Sequence, residues 1–318
     1  MNLTKLQTFL TLSECLSFTE AAELLYCSQP AVSMQIQGLE HDIGSPLFDR
    51  IGKKLYLTKQ GELFKPYAEQ IVNLLQSARD HLQQLDDLTH GTLSFGASNF
   101  VGVYLLPALL GEFNQAYPGI RINMNITSSR QLIDMLESNK AEFLVISDQI
   151  PLDDARLQAA TFYKDELVLI AKTDHAFAES GACAIEDLRG ETMLWKPKKS
   201  ATRAYLEGKF AEYGISFRSD MEISNLEAIK QGVIHGLGLS IVSKFAVAQE
   251  IRSGLLASIP IQGVKLERGI RYVYFKNKLL SPASKQFIQM LERGRMFDRQ
   301  AAAGCMTAVA KTDEPHAG

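Results

Sequence analysis

Uncharged side chains that can donate and accept hydrogen bonds cluster near the N-terminus. The segment CSQPAVSMQIQGLE, residues 27–40, carries no charge before Glu40. Amide and hydroxyl groups can hydrogen-bond the edges of DNA bases, and a methionine can contact thymine methyl groups. The first chemistry that the sequence offers is the reading of a duplex by neutral groups. The candidate base-contacting residues are Ser28, Gln29, Pro30, Ser33, Met34 and Gln37.

A second set of hydroxyl and amide side chains lies where predicted strands end or predicted helices begin. Ligands of α/β folds bind beyond the carboxyl ends of strands, against helix N-termini with free N–H groups. Each residue alone can be an ordinary helix cap, but together they predict a cleft for a small polar molecule. The residues are Ser98, Asn99, Phe100, Ser128, Ser129, Ser200, Thr202, Ser224 and Asn225.

The run WKPKKSATR, residues 195–203, places several cations beside one of these helix starts. A lysine run is usually a solvated surface, but at a helix N-terminus it can also attract an anion. The sequence therefore favours an anionic metabolite as the ligand, whose identity stays unknown.

Catalytic and metal-binding patterns do not stand out. No His/Cys group has metal-ligand spacing, and no Ser/His/Asp order, carboxylate pair or phosphate loop is evident. The glycines of GVIHGLGLS lack the third glycine of a dinucleotide fingerprint, because Ile241 holds its place, and Gly236 is better read as a helix stop. We predict a protein that is not an enzyme and that needs no metal or cofactor.

Composition sets broad limits on the class of protein. The chain has 318 residues, a formal net charge of −3, 46% hydrophobic and 22% charged residues, which suits about two globular domains. We find no apolar run near the roughly 20 residues of a membrane span and no secretory signal. Cys15, Cys27, Cys183 and Cys305 lie far apart, as expected of free thiols in a reducing compartment. We expect a cytoplasmic protein without a membrane partner.

The elements that would position the neutral cluster form a small N-terminal domain. Leu3, Leu6 and Phe9 indicate a first helix, and a second opens with Thr19 as candidate N-cap. Ser28 can cap a third helix that Gly44 closes, and two short strands around Gly52 read as a wing. This pattern predicts a winged helix-turn-helix at 1–58; a small helical bundle without a DNA role remains the alternative.

A long helix is predicted at 59–90, where apolar residues recur at alternating spacings of four and three. Such a heptad seam favours pairing with a second copy, although packing on the chain's own second domain stays open. The seam consists of Phe64, Ala68, Ile71, Leu75, Ala78, Leu82 and Leu85.

Residues 91–295 alternate strand-like and helix-like segments, which indicates an α/β domain with largely parallel strands. It divides into one subdomain at about 91–162 and 267–295 and another at about 163–266. We expect the small and polar tail at 296–318 to be disordered.

Several phrases of the chain resemble LysR-type transcriptional regulators. They are SFTEAAELL, SQPAVSMQIQGLE, DIGSPLFDR and LTKQG in the first domain, and YLLP, FNQAYPGI and LEAIKQGV in the second. The resemblance implies a dimer, or a tetramer, that reads an imperfect palindrome in a promoter, contacts RNA polymerase and binds an effector in its C-terminal cleft. It also implies a shift of the two subdomains when the effector binds. A solute-binding receptor of the periplasmic type is the alternative that the second half alone would allow.

The first domain departs from the family in charge. Family members usually carry Arg at the positions of Met34 and often of Gln37, and residues 1–58 hold four Lys/Arg against six Asp/Glu. We therefore expect phosphate contacts from the wing, through Arg50, Lys53 and Lys54, and weak DNA binding by an isolated domain.

Overall fold

The computed structural model describes residues 1–52, 54–83, 88–215 and 221–294. The N-terminal part contains three helices followed by a two-stranded wing. Its elements are α1 (Leu3–Cys15), α2 (Phe18–Leu24), α3 (Gln29–Ile43), β1 (Phe48–Ile51) and β2 (Lys54–Leu57). Three predictions fall outside the described residues: the DNA contact of Lys53, the dimer contact of Leu85 and the disorder of the tail at 296–318.

Helix caps fix the boundaries of the N-terminal helices. Ser28 Oγ accepts a hydrogen bond from the Ala31 amide, and Gly44 ends α3 with a φ of 79°, both as predicted. The predicted cap of α2 is wrong, because Ser17 Oγ, not Thr19, accepts from the Glu20 amide. Ser17 lies at the start of the helix with extended backbone, which is the geometry that an N-cap needs.

A long helix, α4 (Lys59–Gln83), leaves the wing and leads towards the second half of the chain. Its 25 residues span roughly 37 Å at 1.5 Å per residue. The helix continues through Pro66, which lies near its start.

The second half contains one seven-stranded sheet and helices on its faces. The strands are β3 (Gly91–Ala97), β4 (Ile120–Ile126), β5 (Phe143–Ser147), β6 (Leu157–Ala171), β9 (Ser240–Ser243), β10 (Ala257–Ile259) and β11 (Glu267–Phe275), with a separate pair of β7 (Leu194–Trp195) and β8 (Met221–Glu222). The helices are α5 (Leu106–Ala116), α6 (Ser129–Glu137), α7 (Ala176–Ser180), α8 (Ala201–Ala211), α9 (Leu226–Ile234), α10 (Ala248–Arg252) and α11 (Pro282–Arg293).

The sheet is ordered β10-β6-β11-β5-β3-β4, and β9 also pairs with β6. The expectation of largely parallel strands is wrong: β3 pairs in parallel with β4 and β5, whereas the pairings of β6 and β11 are antiparallel. The reason is that β6 and β11 are the two connections between subdomains, and they run past each other in opposite directions. The proposed subdomain boundaries near 162 and 267 fall within β6 and at the start of β11.

The hydrophobic core continues across the subdomains beside these connecting strands. One buried cluster joins Phe95 and Phe287 of the first subdomain to Val233 and Val247 of the second. A further cluster around Trp195 and Phe210 lies within the second subdomain. Apolar packing therefore joins the two subdomains.

Candidate DNA-binding surface and effector cleft

The third helix presents the predicted base-contacting residues on its solvent side. Val32, Ile36 and Leu39 are buried in the core of the N-terminal domain. Ser28, Gln29, Pro30, Met34 and Gln37 are exposed, and Ser33 is half-buried. The apolar spacing of α3 therefore leaves its neutral polar side chains free to meet a duplex.

Some polar groups of this domain are already engaged within it. Thr8 Oγ1 and Gln35 Oε1 are hydrogen-bonded, so Gln35 points towards α1 and away from the exposed face. Lys5 Nζ lies 3.0 Å from the Gly38 carbonyl oxygen and 2.8 Å from the Asp42 carboxylate. These contacts lower the pKa of Asp42 to about 2, through the hydrogen bonds from Lys5 and the N-terminal amine.

The cations that remain free for phosphate lie in the wing and at the start of α4. Lys54 and Lys59 are exposed. Arg50 is exposed as well, and its guanidinium carbon lies 4.9 Å from the centre of the Phe18 ring. These cations are therefore exposed where the sequence predicts phosphate contacts, and the predicted base contacts on α3 stay a prediction.

The apolar residues of the linker helix α4 fall into two groups, one buried in the N-terminal domain and one exposed. Phe64 packs against the N-terminal core and Ala68 is fully buried in it, so these residues do not belong to a surface for a second copy. Apolar spacing alone does not distinguish these residues from dimer contacts, because a helix that packs on its own domain shows the same spacing. The exposed apolar residues of α4 are Leu63, Tyr67, Ile71, Leu74, Leu75, Ala78 and Leu82.

A cleft of about 420 Å³ opens between the two subdomains. It is rich in hydroxyl groups, and its apolar lining includes Leu167, Trp195 and Ile229. The predicted residues that line it are Ser98, Asn99, Phe100, Ser128, Ser129, Ser200, Thr202 and Ser224. Asn225 does not line the cleft: its side chain accepts hydrogen bonds from the Glu227 and Ala228 amides and is an ordinary cap of α9.

Two helices begin at the cleft without a capping side chain. Neither Ser128 at α6 nor Ser200 at α8 hydrogen-bonds the first-turn amides of its helix. The amides of these first turns therefore keep their capacity to bind an anion, reinforced by the helix dipoles.

Arg268 is one of two nearly buried arginines that line the cleft, beside Arg203, and no pattern in the sequence singled it out. The side chain is 6% exposed, donates from Nε to Asp165 at 2.8 Å and from Nη1 to Thr202 Oγ1 at 2.8 Å, and lies 4.8 Å from the Phe100 ring centre. Within the described part of the chain its Nη2 atom has no hydrogen-bond partner. Arg268 thus contacts the connecting strand β6 and both subdomains at once.

Lys196 and Lys199 add positive charge to the lining of the cleft. Lys196 Nζ donates to the Ser224 carbonyl oxygen at 2.7 Å. Burial, followed by the nearby charge of Arg268, lowers the pKa of Lys196. Lys198, between them in sequence, is exposed and does not line the cleft.

The described residues contain no group of three or more His, Cys, Asp or Glu side chains placed to hold a metal ion. In those same residues no helix is long and apolar enough to cross a bilayer.

Family comparisons agree with both halves of the fold. Residues 86–295 match the LysR substrate binding domain, and residues 3–62 match the bacterial regulatory helix-turn-helix protein of the lysR family. The chain belongs to the LysR family. The helix-turn-helix match also decides against a solute-binding receptor, and it confirms a regulator as opposed to an enzyme.

Individual LysR-family relatives cover most of the chain. The RuBisCO operon transcriptional regulator of Allochromatium vinosum is 34% identical over 301 residues, 94% of this chain and 99% of the relative. The regulatory domain of Synechocystis CcmR in complex with 2-PG is 27% identical, with a TM-score of 0.59, over 64% of this chain and 97% of that one. Full-length CbnR with its target DNA is 23% identical, with a TM-score of 0.72, over 92% and 100% of the two chains, and shares the fold. This LysR-family protein is a ligand-responsive, DNA-binding transcriptional regulator.

Proposed function

We propose that this regulator responds to a small anionic metabolite with a phosphate or carboxylate group, bound in the cleft between its subdomains. The observation that carries the proposal is Arg268, a nearly buried guanidinium that lines the cleft with one terminal nitrogen unpartnered in the described residues. A buried charge of this kind is costly unless it is compensated. Asp165 balances the charge through Nε, and the other terminal nitrogen can still donate to an anion in the cleft.

The surroundings of Arg268 favour the same ligand class. The uncapped N-termini of α6 and α8 face the cleft from opposite subdomains, so an anion bound to both would draw the subdomains together. The CcmR regulatory domain with 2-PG provides a relative whose effector fits this chemistry, and regulators of RuBisCO genes are among the relatives.

We further propose that the protein reads an imperfect palindrome as a dimer, or as a tetramer, in the cytoplasm, and that effector binding alters its contacts with RNA polymerase. The exposed apolar stripe of α4 supports pairing with a second copy. The proposed domain bounds are 1–58, 59–90 and 91–295, and the proposed contact residues are those placed on α3, in the wing and in the cleft.

Calorimetry on variants of two neighbouring lysines, Lys198 and Lys199, tests the class of ligand. The titrants are 2-PG, other small phosphorylated and carboxylic acids, and an uncharged polyol. We expect Lys199→Gln to weaken anion binding roughly three- to tenfold, by about 0.7 to 1.4 kcal/mol, because Lys199 lines the cleft. Lys198→Gln is the matched control and should leave the affinity unchanged. Binding of the polyol alone, or equal effects of both variants, would reject the proposal.

A further inference from the structure

Helix α6 lies between the effector cleft and the linker helix of the same chain. Its nine residues span about 13 Å. Ser128 and Ser129 at its start line the cleft, whereas Glu137 and Ser138 at its end line a groove of about 670 Å³ beside α4. Thr127, just before the helix, lines both spaces.

The two hydroxyls at the cleft end of α6 hydrogen-bond a glutamine in the first turn of the same helix. Ser128 Oγ donates to Gln131 Oε1 at 2.8 Å, and the Thr127 hydroxyl also hydrogen-bonds Gln131 Oε1. Gln131 itself lines the groove beside α4. An anion that attracts these hydroxyls at the start of α6 would therefore release Gln131 on the linker side.

The other end of α6 holds the linker helix by two polar contacts. Asn73 Nδ2 donates to the Ser138 carbonyl oxygen at 2.7 Å, and Lys140 Nζ lies 2.8 Å from Glu69 Oε2. Glu69 and Asn73 are four residues apart and therefore share one face of α4. Grooves of about 670 and 540 Å³ flank this contact, so it is narrow and can separate without exposing a large apolar area.

Two leucines pack α6 against the sheet. Leu132, in the middle of the helix, and Leu136, near its end, are buried. The approach is close, because a Cβ atom on Gly96 of β3 would lie 2.7 Å from Leu132 Cδ2. A short helix packed in this way moves as one rigid body, so a displacement at its start also displaces its end.

We infer that α6 couples the occupied cleft to the linker helix, with Glu69 and Asn73 as the positioning residues that follow its C-terminal end. The inference rests on the proposed function, since it assumes an anion at the start of α6. The signal then passes within one chain, from the cleft to the linker helix α4, which is joined to the DNA-binding domain.

Charge reversal in the full-length protein tests the coupling. The readouts are the affinity for 2-PG by calorimetry and the 2-PG-dependent change of DNA bending by gel mobility on permuted fragments. We expect Glu69→Lys and Lys140→Glu each to keep the 2-PG affinity within about twofold and to lose at least half of the bending change. The double swap should restore it, and Lys285→Glu, an exposed charge reversal on α11, should have no effect. Unchanged bending responses in the single variants, or failure of the swap to restore a lost response, would overturn the inference.

A second measurement needs no ligand and separates the two proposals. Gln131→Ala removes the link at the cleft end, and hydrogen exchange of residues 66–76 reports on the linker. We expect severalfold faster exchange in Gln131→Ala than in the parent protein, and no further increase when Glu69→Lys is added. If no anion binds the parent protein, the proposed function fails while this measurement still decides the coupling: unchanged exchange in Gln131→Ala overturns it.

Discussion

Arg268 and Asp165 stand directly opposite each other in the pairing of β11 with β6, and their side chains form an ion pair at 2.8 Å. The pair thus joins the two strands that connect the subdomains. Ser243 Oγ also donates to Asp165, at 2.6 Å. The same guanidinium lines the cleft, so the connection between the subdomains and the proposed anion site share one charge.

Asp165→Asn should affect stability and anion affinity in opposite directions. The free energy of unfolding should fall by about 3 kcal/mol, because Arg268 is left as an uncompensated buried charge. Anion affinity should rise severalfold, because a competing negative charge beside the guanidinium is gone. Denaturant unfolding and calorimetry with 2-PG measure both. Glu166→Gln is the control: this exposed residue pairs with Lys244 on the surface and should change stability by less than about 1 kcal/mol. A variant that loses stability and anion affinity together would contradict the shared role.

Anion binding should take up protons at alkaline pH. Burial and Arg268 lower the pKa of Lys196, and a bound anion should raise it again towards its ordinary value. The complex then holds more protons than the free protein. Anion affinity therefore falls as the pH rises from the lowered pKa of Lys196 in the free protein to its higher pKa in the complex. Calorimetry in buffers of different ionisation enthalpy measures the uptake. Lys196→Met should abolish it and Lys198→Met should not. Proton release on binding would reject this account.

Loss of a base contact and loss of a phosphate contact should have different effects on DNA binding. Gln29→Ala should relax base preference and leave the salt dependence almost unchanged, because a neutral contact is lost. Lys54→Ala should weaken binding to all sequences and flatten the slope of log affinity against log salt by about 1 per domain. Fluorescence anisotropy with an operator and a scrambled duplex at several salt concentrations distinguishes them. Identical behaviour of the two variants would show that the assigned roles are wrong.

The exposed stripe of α4 should hold two copies together. Leu74 and Leu82 are 58% and 67% exposed, so Leu74→Glu combined with Leu82→Glu should give a monomer in sedimentation experiments without unfolding the chain. Leu279→Glu, at an exposed leucine outside α4, is the control. A dimer that survives the double substitution would place the interface elsewhere.

Local patterns in the sequence predicted most of the elements. The apolar spacing of α3, the Ser28 cap and the Gly44 stop specify that helix without help from the rest of the chain. The hydroxyl residues of the cleft were found because strand ends and helix starts are visible in sequence. The same signal led to a wrong prediction at Asn225. A polar residue at a helix start can cap the helix or contact a ligand, and only the position of the helix in the fold shows that Asn225 is a cap.

Features that depend on distant pairing could not be predicted. Arg268 lies in a strand of ordinary pattern, and it enters the cleft only because β11 pairs with β6 more than a hundred residues away. The ion pair between Lys5 of α1 and Asp42 of α3 likewise depends on the packing of two helices and has no local signal in the sequence. Ala68 fits the heptad seam equally well, but the return of α4 onto α1 buries it.

Footprinting of a promoter site with the full-length protein tests the central claim most directly. The protection pattern is recorded across a 2-PG titration for the parent protein, Lys199→Gln and Lys198→Gln. We predict that 2-PG shifts the protected positions in the parent and in Lys198→Gln at the concentration where calorimetry detects binding, and that Lys199→Gln needs three- to tenfold more, in line with the loss of about 1 kcal/mol of binding energy. A footprint that does not change while the cleft is saturated with 2-PG would contradict the account.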